Sequence, residues 1–134
     1  MSDKICIETN ILVYSVANDL RKRSIADALL LREGIVVSPQ VISEFIAVTL
    51  RKQILEQTKV VEYAHKFLKV FHTTVMTAGT ITSALNIMTK YRFAYWDSLI
   101  LAAAIESACT IVYSEDLQDG QRIEDQVTII NPFK

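Results

Sequence analysis

Glycine and proline are scarce in this 134-residue chain, at three and two residues. An all-β protein punctuated by tight turns needs many more. Neither the G-x-G-x-x-G pattern nor the P-loop pattern occurs, so no glycine-rich loop is present to cradle a phosphate. Cysteine is limited to Cys6 and Cys109, each among apolar neighbours (KICIE and SACTIVY), which predicts buried free thiols rather than a disulfide framework. Charge of one sign is lacking too: 14 basic against 15 acidic side chains leave a net −1. No global field then draws the chain to nucleic acid or membrane, and a polyanion has to be met by a local patch. The longest apolar run, Leu99 to Ile105, is far short of the ~20 residues that span a bilayer. The opening MSDK carries an acid and no apolar stretch, unlike a secretory signal. A cytoplasmic protein with no membrane partner is expected.

What is present is apolar bulk. Hydrophobic residues make up 51 % of the chain, which excludes the disordered class, and the length suits one domain over residues 1–134. Short β-branched runs alternate with helical periodicity. Strands are predicted at Ile5–Ile7, Ile35–Val37, Thr73–Met76, Thr110–Tyr113 and Val127–Ile130. Helices are predicted over Ile11–Val16 (capped by Thr9 or Asn10), from Asp19 towards Gly34, after Ser38-Pro39, from Thr58, over Thr80–Tyr91 and over Asp97–Ser107. This alternation predicts an α/β fold, a central mostly parallel sheet of about five strands flanked by helices.

In such a sheet the ligand crevice lies at the carboxyl ends of the strands. Glu8 closes the first strand, Asp116 follows the Thr110–Tyr113 strand, and Asp97 opens a helix on the same edge. Glu44 lies three residues after Val41 and four before Val48, which puts a carboxylate on or beside an apolar stripe. Each has an ordinary alternative: a solvated strand end for Glu8, a turn for Asp116 and Asp119, the helix dipole for Asp97, a register off by one for Glu44. Together they are harder to dismiss, because clustered carboxylates cannot all stay ionised unless a cation neutralises them. Oxygen-only ligands select Mg²⁺ or Mn²⁺, whereas His65 and His72 lack zinc spacing and are expected in core or surface packing. Carboxylate-held dications are the usual machinery of phosphodiester hydrolysis.

With these residues in hand, the chain resembles the PIN-domain ribonucleases, in particular the VapC toxins of bacterial type II toxin–antitoxin pairs. The matching pieces are ICIETNILVY (5–14), VVSPQVISEF (36–45), YWDSLILAAAIESAC (95–109) and IVYSEDLQDGQ (111–121), in family order. The resemblance implies a three-layer PIN-like fold and an endoribonuclease that uses Mg²⁺ or Mn²⁺. It also implies a homodimer, neutralised by a cognate antitoxin and acting on RNA. Carried over, Glu44, Asp97 and Asp116 match the family's acidic positions, and Asn10 and Ser114 its supporting polar residues, with Asp119 a further supporting candidate. Glu8 and Asp97 are then expected to hold a metal directly, Asp116 to complete its shell or orient a metal-bound water, and Glu44 to position the attacking water or a second metal.

One position departs: the family's Asp-Thr-Asn is here Glu8-Thr9-Asn10. The extra methylene displaces the carboxylate, and misplacement by ~1 Å can cost on the order of 10²-fold in rate. Glu8 is either natural and tolerated or a substitution that attenuates the toxin, and the second is the preferred reading. The alternative function is a catalytically silent PIN-like module that binds antitoxin or RNA without cleaving. A receiver-type signalling domain ranks lower, since Thr77 follows the strand expected to carry its phosphoacceptor Asp. Basic clusters at Arg21-Lys22-Arg23, Arg51-Lys52, and Lys90 with Arg92 are candidate RNA contacts or solvated helix faces. Tyr95 and Trp96 are expected in the core, with base stacking as the other possibility. Tyr63, Phe67 and Phe71 exceed what a small domain easily hides and are expected to serve a partner surface.

Overall fold

Every predicted strand and helix has a counterpart in the computed structural model, which describes residues 3–134. The expectation for the MSDK terminus falls partly on residues 1–2, outside the described residues. The elements run β1 (Ile5–Ile7), α1 (Thr9–Tyr14), α2 (Leu20–Leu30), β2 (Ile35–Val37), α3 (Pro39–Arg51), α4 (Gln57–Val70), β3 (His72–Thr73), α5 (Ala78–Tyr91), α6 (Tyr95–Glu106), β4 (Ile111–Tyr113), β5 (Arg122–Ile123) and β6 (Val127–Ile130). The sheet order is β3-β2-β1-β4-β6-β5. All neighbours are parallel except the β5–β6 pair.

The predicted sheet of about five strands therefore gains a sixth, β5, whose two residues are too short to leave a periodic signal. The predicted Thr73–Met76 strand shrinks to His72–Thr73, and Thr77 instead caps α5. Its hydroxyl accepts from the Thr80 backbone N–H while the Thr80 hydroxyl accepts from the Thr77 N–H, a reciprocal box that starts the helix before Thr80. Other starts follow the sequence more closely: Asp19 accepts from Lys22 N–H, and Ser38 from Val41 N–H with Pro39 next in line.

Central strands β1 and β2 are buried along their full length, as expected of a parallel sheet covered on both faces. Helix α6 is buried continuously from Ser98 to Ala104, its alanines allowing close approach to its neighbours. Cys6 and Cys109 are free and buried, as expected. Tyr63, Phe67 and Phe71, expected at a partner surface, line a groove between α2 and α4, with Phe67 more buried than expected. Phe67 is only 4 % exposed and stacks edge-on against Phe45 at 5.1 Å between ring centroids, and Tyr63 and Phe71 pack partly buried beside it. Gly34 stands just ahead of β2 at φ +79°, and a β-carbon there would sit 2.6 Å from the Asp3 carbonyl oxygen, a place only glycine fits. Among the described residues, no helix is long and apolar enough to cross a membrane.

Candidate functional site

Strands β1 and β4 lie side by side at the middle of the sheet, where chain connections depart in opposite directions, and in open α/β sheets that is where ligands bind. Glu8 follows β1 as the residue preceding α1, in extended conformation. Its side chain makes no capping bond. It turns instead across to β4, where the Ser114 hydroxyl donates to Glu8 Oε2 over 2.6 Å. The same Ser114 oxygen accepts from Leu117 N–H at 3.1 Å, so its proton and one of its lone pairs are both committed.

Three further carboxylates surround this pair. Glu44, in α3, is half-buried. Its Oε1 accepts from Gln40 Nε2 at 2.6 Å, one helical turn back, and its Oε2 from the Thr9 hydroxyl at 3.1 Å. The register doubt is settled in favour of a side chain turned inward. Asp97 lies in the first turn of α6, which begins two residues earlier than predicted, at Tyr95. Asp116, exposed beyond β4, accepts from Asn10 Nδ2 at 3.2 Å.

The electrostatics follow from burial and like charge. Glu8 is 4 % exposed. Its carboxyl is pushed up from 4.5 to about 7, chiefly by burial and further by the charges of Asp97, Asp116 and Glu44, with the Ser114 bond opposing. Asp97 is also raised, first by burial and then by Asp116 and Glu44. Among the described residues none of the four forms an ion pair. No described residue neutralises the negative charge of this corner through an ion pair.

Not every expected residue joins them. Asp119 is held elsewhere: its Oδ1 accepts from Asn131 N–H at 2.8 Å, and Lys134 Nζ lies 3.8 Å from its Oδ2. Of the basic clusters, Lys22 is engaged by Glu115 at 2.6 Å and stands 4.5 Å from the Tyr14 ring centroid, while Lys90 pairs with Glu124 at 2.9 Å. Arg21 donates to the Phe133 carbonyl. Lys52 has no ion pair among the described residues and lines a hollow of about 260 Å³ with Thr9, Asn10 and Glu44. Trp96 corrects the core expectation, being 62 % exposed, while Tyr95 is half-buried. His65 and His72 are exposed, away from any ligand set. Gln40 was missed from the sequence. The signal for it is the i, i+4 spacing to Glu44 on one helix face.

The donors at this corner are carboxylate oxygens supported by hydroxyls and amides, a hard-oxygen set that suits Mg²⁺ or Mn²⁺ and not zinc. Among the described residues, no three His, Cys, Asp or Glu side chains stand close enough together to enclose one ion as they are placed. The donor set thus fits a hard dication in its chemistry, with the carboxylates held by their neutral partners.

Residues 5–121 match the sequence profile of the PIN domain family. No curated protein sequence matches the chain. Among solved structures, a toxin–antitoxin complex from Klebsiella pneumoniae superposes with a TM-score of 0.72 at 16 % identity, covering 96 % of this chain and 98 % of that one. A VapC toxin of Mycobacterium tuberculosis that cleaves the sarcin–ricin loop gives 0.70 at 17 % identity, covering 84 % and 90 %. The VapBC complex of Rickettsia felis, bound to a DNA fragment from its promoter, gives 0.68 at 17 % identity, covering 93 % and 96 %. At such identities the likeness is one of fold.

Proposed function

Because the chain belongs to the PIN domain family, we propose that it is a metal-dependent endoribonuclease, the toxin of a type II toxin–antitoxin pair. The observation that carries this reading is the unneutralised acidic corner. At the carboxyl edge of the sheet the charges of Asp97, Asp116 and Glu44 disfavour ionisation of Glu8, and those of Asp116 and Glu44 disfavour ionisation of Asp97, with no cationic side chain paired to any of the four among the described residues. Glu8, Asp97 and Asp116 would hold Mg²⁺ or Mn²⁺, which when bound supplies charge neutralisation at the phosphate and activation of water. Glu44 keeps acceptor capacity beyond its bonds to Gln40 and Thr9 and holds the attacking water in place. Asn10 orients Asp116 and Ser114 orients Glu8.

RNA is gripped from outside the acids, by Lys52 in its hollow and by Arg51 beside it, so cleavage should weaken steeply with salt. A cognate antitoxin fits the groove of about 380 Å³ between α2 and α4, where Leu30, Phe67 and Val70 face Arg23 and Lys66. Exposed Val75, Met76, Ile81 and Leu85 suit a homodimer face, and the protein works in the cytoplasm. A second reading, a silent module that binds without cleaving, is favoured by the longer Glu8 side chain and by the lack of three closely set metal ligands among the described residues. Digestion of total RNA with and without Mn²⁺, by this chain and by Asp97→Asn, decides between them. Mn²⁺-dependent cleavage lost in Asp97→Asn supports the nuclease, and no cleavage under any condition overturns it.

A further inference from the structure

The four acids of the corner have no ion pair among the described residues, but a fifth beside them does. Glu115 stands in the chain between Ser114, which holds Glu8, and Asp116. Lys22 of α2 reaches Glu115 Oε2 at 2.6 Å, and the Tyr14 hydroxyl, at the end of α1, donates to Glu115 Oε1. Lys22 Nζ also donates to the Tyr14 oxygen at 3.1 Å, so the three polar groups close a triangle. The triangle is packed as well as bonded. Lys22 Nζ stands 4.5 Å from the ring centroid of Tyr14 and 5.7 Å from that of Phe133, and those two rings meet edge-on at 5.0 Å. Only 27 % of the Lys22 side chain and 22 % of the Glu115 side chain are exposed. An isolated surface pair contributes little, whereas a sheltered network of this kind fixes one geometry.

What the triangle holds is the stretch that carries Asp116. Among the described residues, no backbone N–H of residues 115–119 bonds to a backbone carbonyl, so side chains do the holding. Two of them come from α1 in register. Asn10 donates to Asp116 Oδ2 at 3.2 Å, and Tyr14, one helical turn further on, engages Glu115. Glu115 and Asp116 are adjacent acids, and either carboxylate has the chemistry to ligate a hard dication. Lys22 and Tyr14 take one oxygen each of Glu115.

We infer that Lys22 and Tyr14 are positioning residues, which clamp Glu115 away from the metal and thereby hold Asp116 for it. The inference rests on the reading of the acids as a metal site. It also removes Lys22 from the set of RNA contacts, since its ammonium is already spent inside the protein.

Charge and position give opposite signs in the test. Lys22→Met keeps the apolar stem and removes one positive charge, which by Coulomb attraction alone would tighten the binding of a dication. A lost clamp weakens that binding instead, because partners that orient a metal ligand are worth about tenfold or more in affinity. Tyr14→Phe keeps the ring and changes no charge. By calorimetry, Lys22→Met and Tyr14→Phe are each expected to bind Mn²⁺ at least about threefold more weakly than the unaltered chain, the clamp acting one residue away from the ligand. Their affinity for a labelled RNA, read by anisotropy in the presence of a chelator, should be unchanged.

Circular dichroism shows which variants fold, and Tyr14→Phe, which removes a single oxygen atom, carries the test if Lys22→Met does not. Unchanged or tighter Mn²⁺ binding in either folded variant overturns the clamp, as does a lack of Mn²⁺ uptake by the unaltered chain. A fall in RNA affinity makes Lys22 an RNA contact and overturns the assignment too. RNA cleavage by the unaltered chain, with Mn²⁺ binding untouched in the variants, would sink the clamp and leave the nuclease standing. Weakened Mn²⁺ binding in the variants, with no cleavage by any of the chains, would do the reverse.

Discussion

Ser114 gives its only proton to Glu8 Oε2 over 2.6 Å, although the two stand 106 positions apart in the chain. The bond joins the ends of adjacent central strands and, among the described residues, is the one hydrogen bond that steadies the buried carboxylate. It lowers the cost of charge at Glu8 without cancelling it, because burial and three neighbouring acids push the other way.

The sign of the resulting pH dependence follows. Glu8 is lifted from 4.5 to about 7 in the folded chain. Below pH 4.5 both folded and unfolded chains hold the proton, and no penalty arises. As pH rises towards and through 7 the unfolded chain releases its proton more readily, so metal-free stability falls, by about 3 kcal/mol from Glu8 alone. Asp97, raised in the same direction, adds to the loss. Urea unfolding across pH 4 to 8 in the presence of a chelator should show this decline, and Glu8→Gln should flatten it.

Shortening Glu8 tests the geometry of the first acid. Glu8→Asp is expected to raise Mn²⁺-dependent RNA cleavage by on the order of 10-fold to 10²-fold, since the extra methylene misplaces the carboxylate by about a bond length. Initial rates on a labelled single-stranded RNA check this. An Asp variant no faster than the parent would show that the longer side chain is accommodated.

Metal uptake should depend on the acids as a set. Calorimetric titration is expected to show Mn²⁺ binding to the unaltered chain and at least about a tenfold weaker affinity in Asp97→Asn, because one hard ligand and one unit of charge are removed. Mn²⁺ should also raise the unfolding temperature of the parent more than that of the variant. The same substitution, made without metal, should stabilise the fold slightly by relieving repulsion on Glu8.

Gly34 offers a test away from the acids. Gly34→Ala combines a left-handed backbone with a β-carbon 2.6 Å from the Asp3 carbonyl, and should cost about 1–3 kcal/mol. Gly120 has φ +85°, but nothing lies within 4 Å of where its β-carbon would stand, so Gly120→Ala should cost only about 1 kcal/mol. Urea midpoints of the two variants compare them directly.

The strand–helix alternation was legible in the sequence because parallel strands buried on both faces read as unbroken Ile and Val runs, as at Ile35–Val37. Hydroxyl caps marked Ser38 and so fixed the helix that carries Glu44. What escaped was governed by neighbours distant in the chain. Strand β5 exists through pairing with β6, not through any pattern of its own two residues. Thr77 and Thr80 form a cap from two hydroxyls where an acid is the familiar signal. Asp119 looked equivalent to Asp116 in SEDLQDG, yet it ties down Asn131, a contact no local spacing discloses. Trp96 read as core by its hydrophobicity, although it sits at the helix end that opens to solvent.

The long separation between Glu8 and Ser114 has a consequence for how the protein is made. Synthesis proceeds from the amino terminus, and β4 emerges after β1, α3 and α6. A nascent chain carrying Glu8, Glu44 and even Asp97 lacks the strand that anchors the first acid and the turn that brings Asp116. Whatever chemistry this corner performs therefore waits until β4 and the turn after it have been made, long after Glu8 itself.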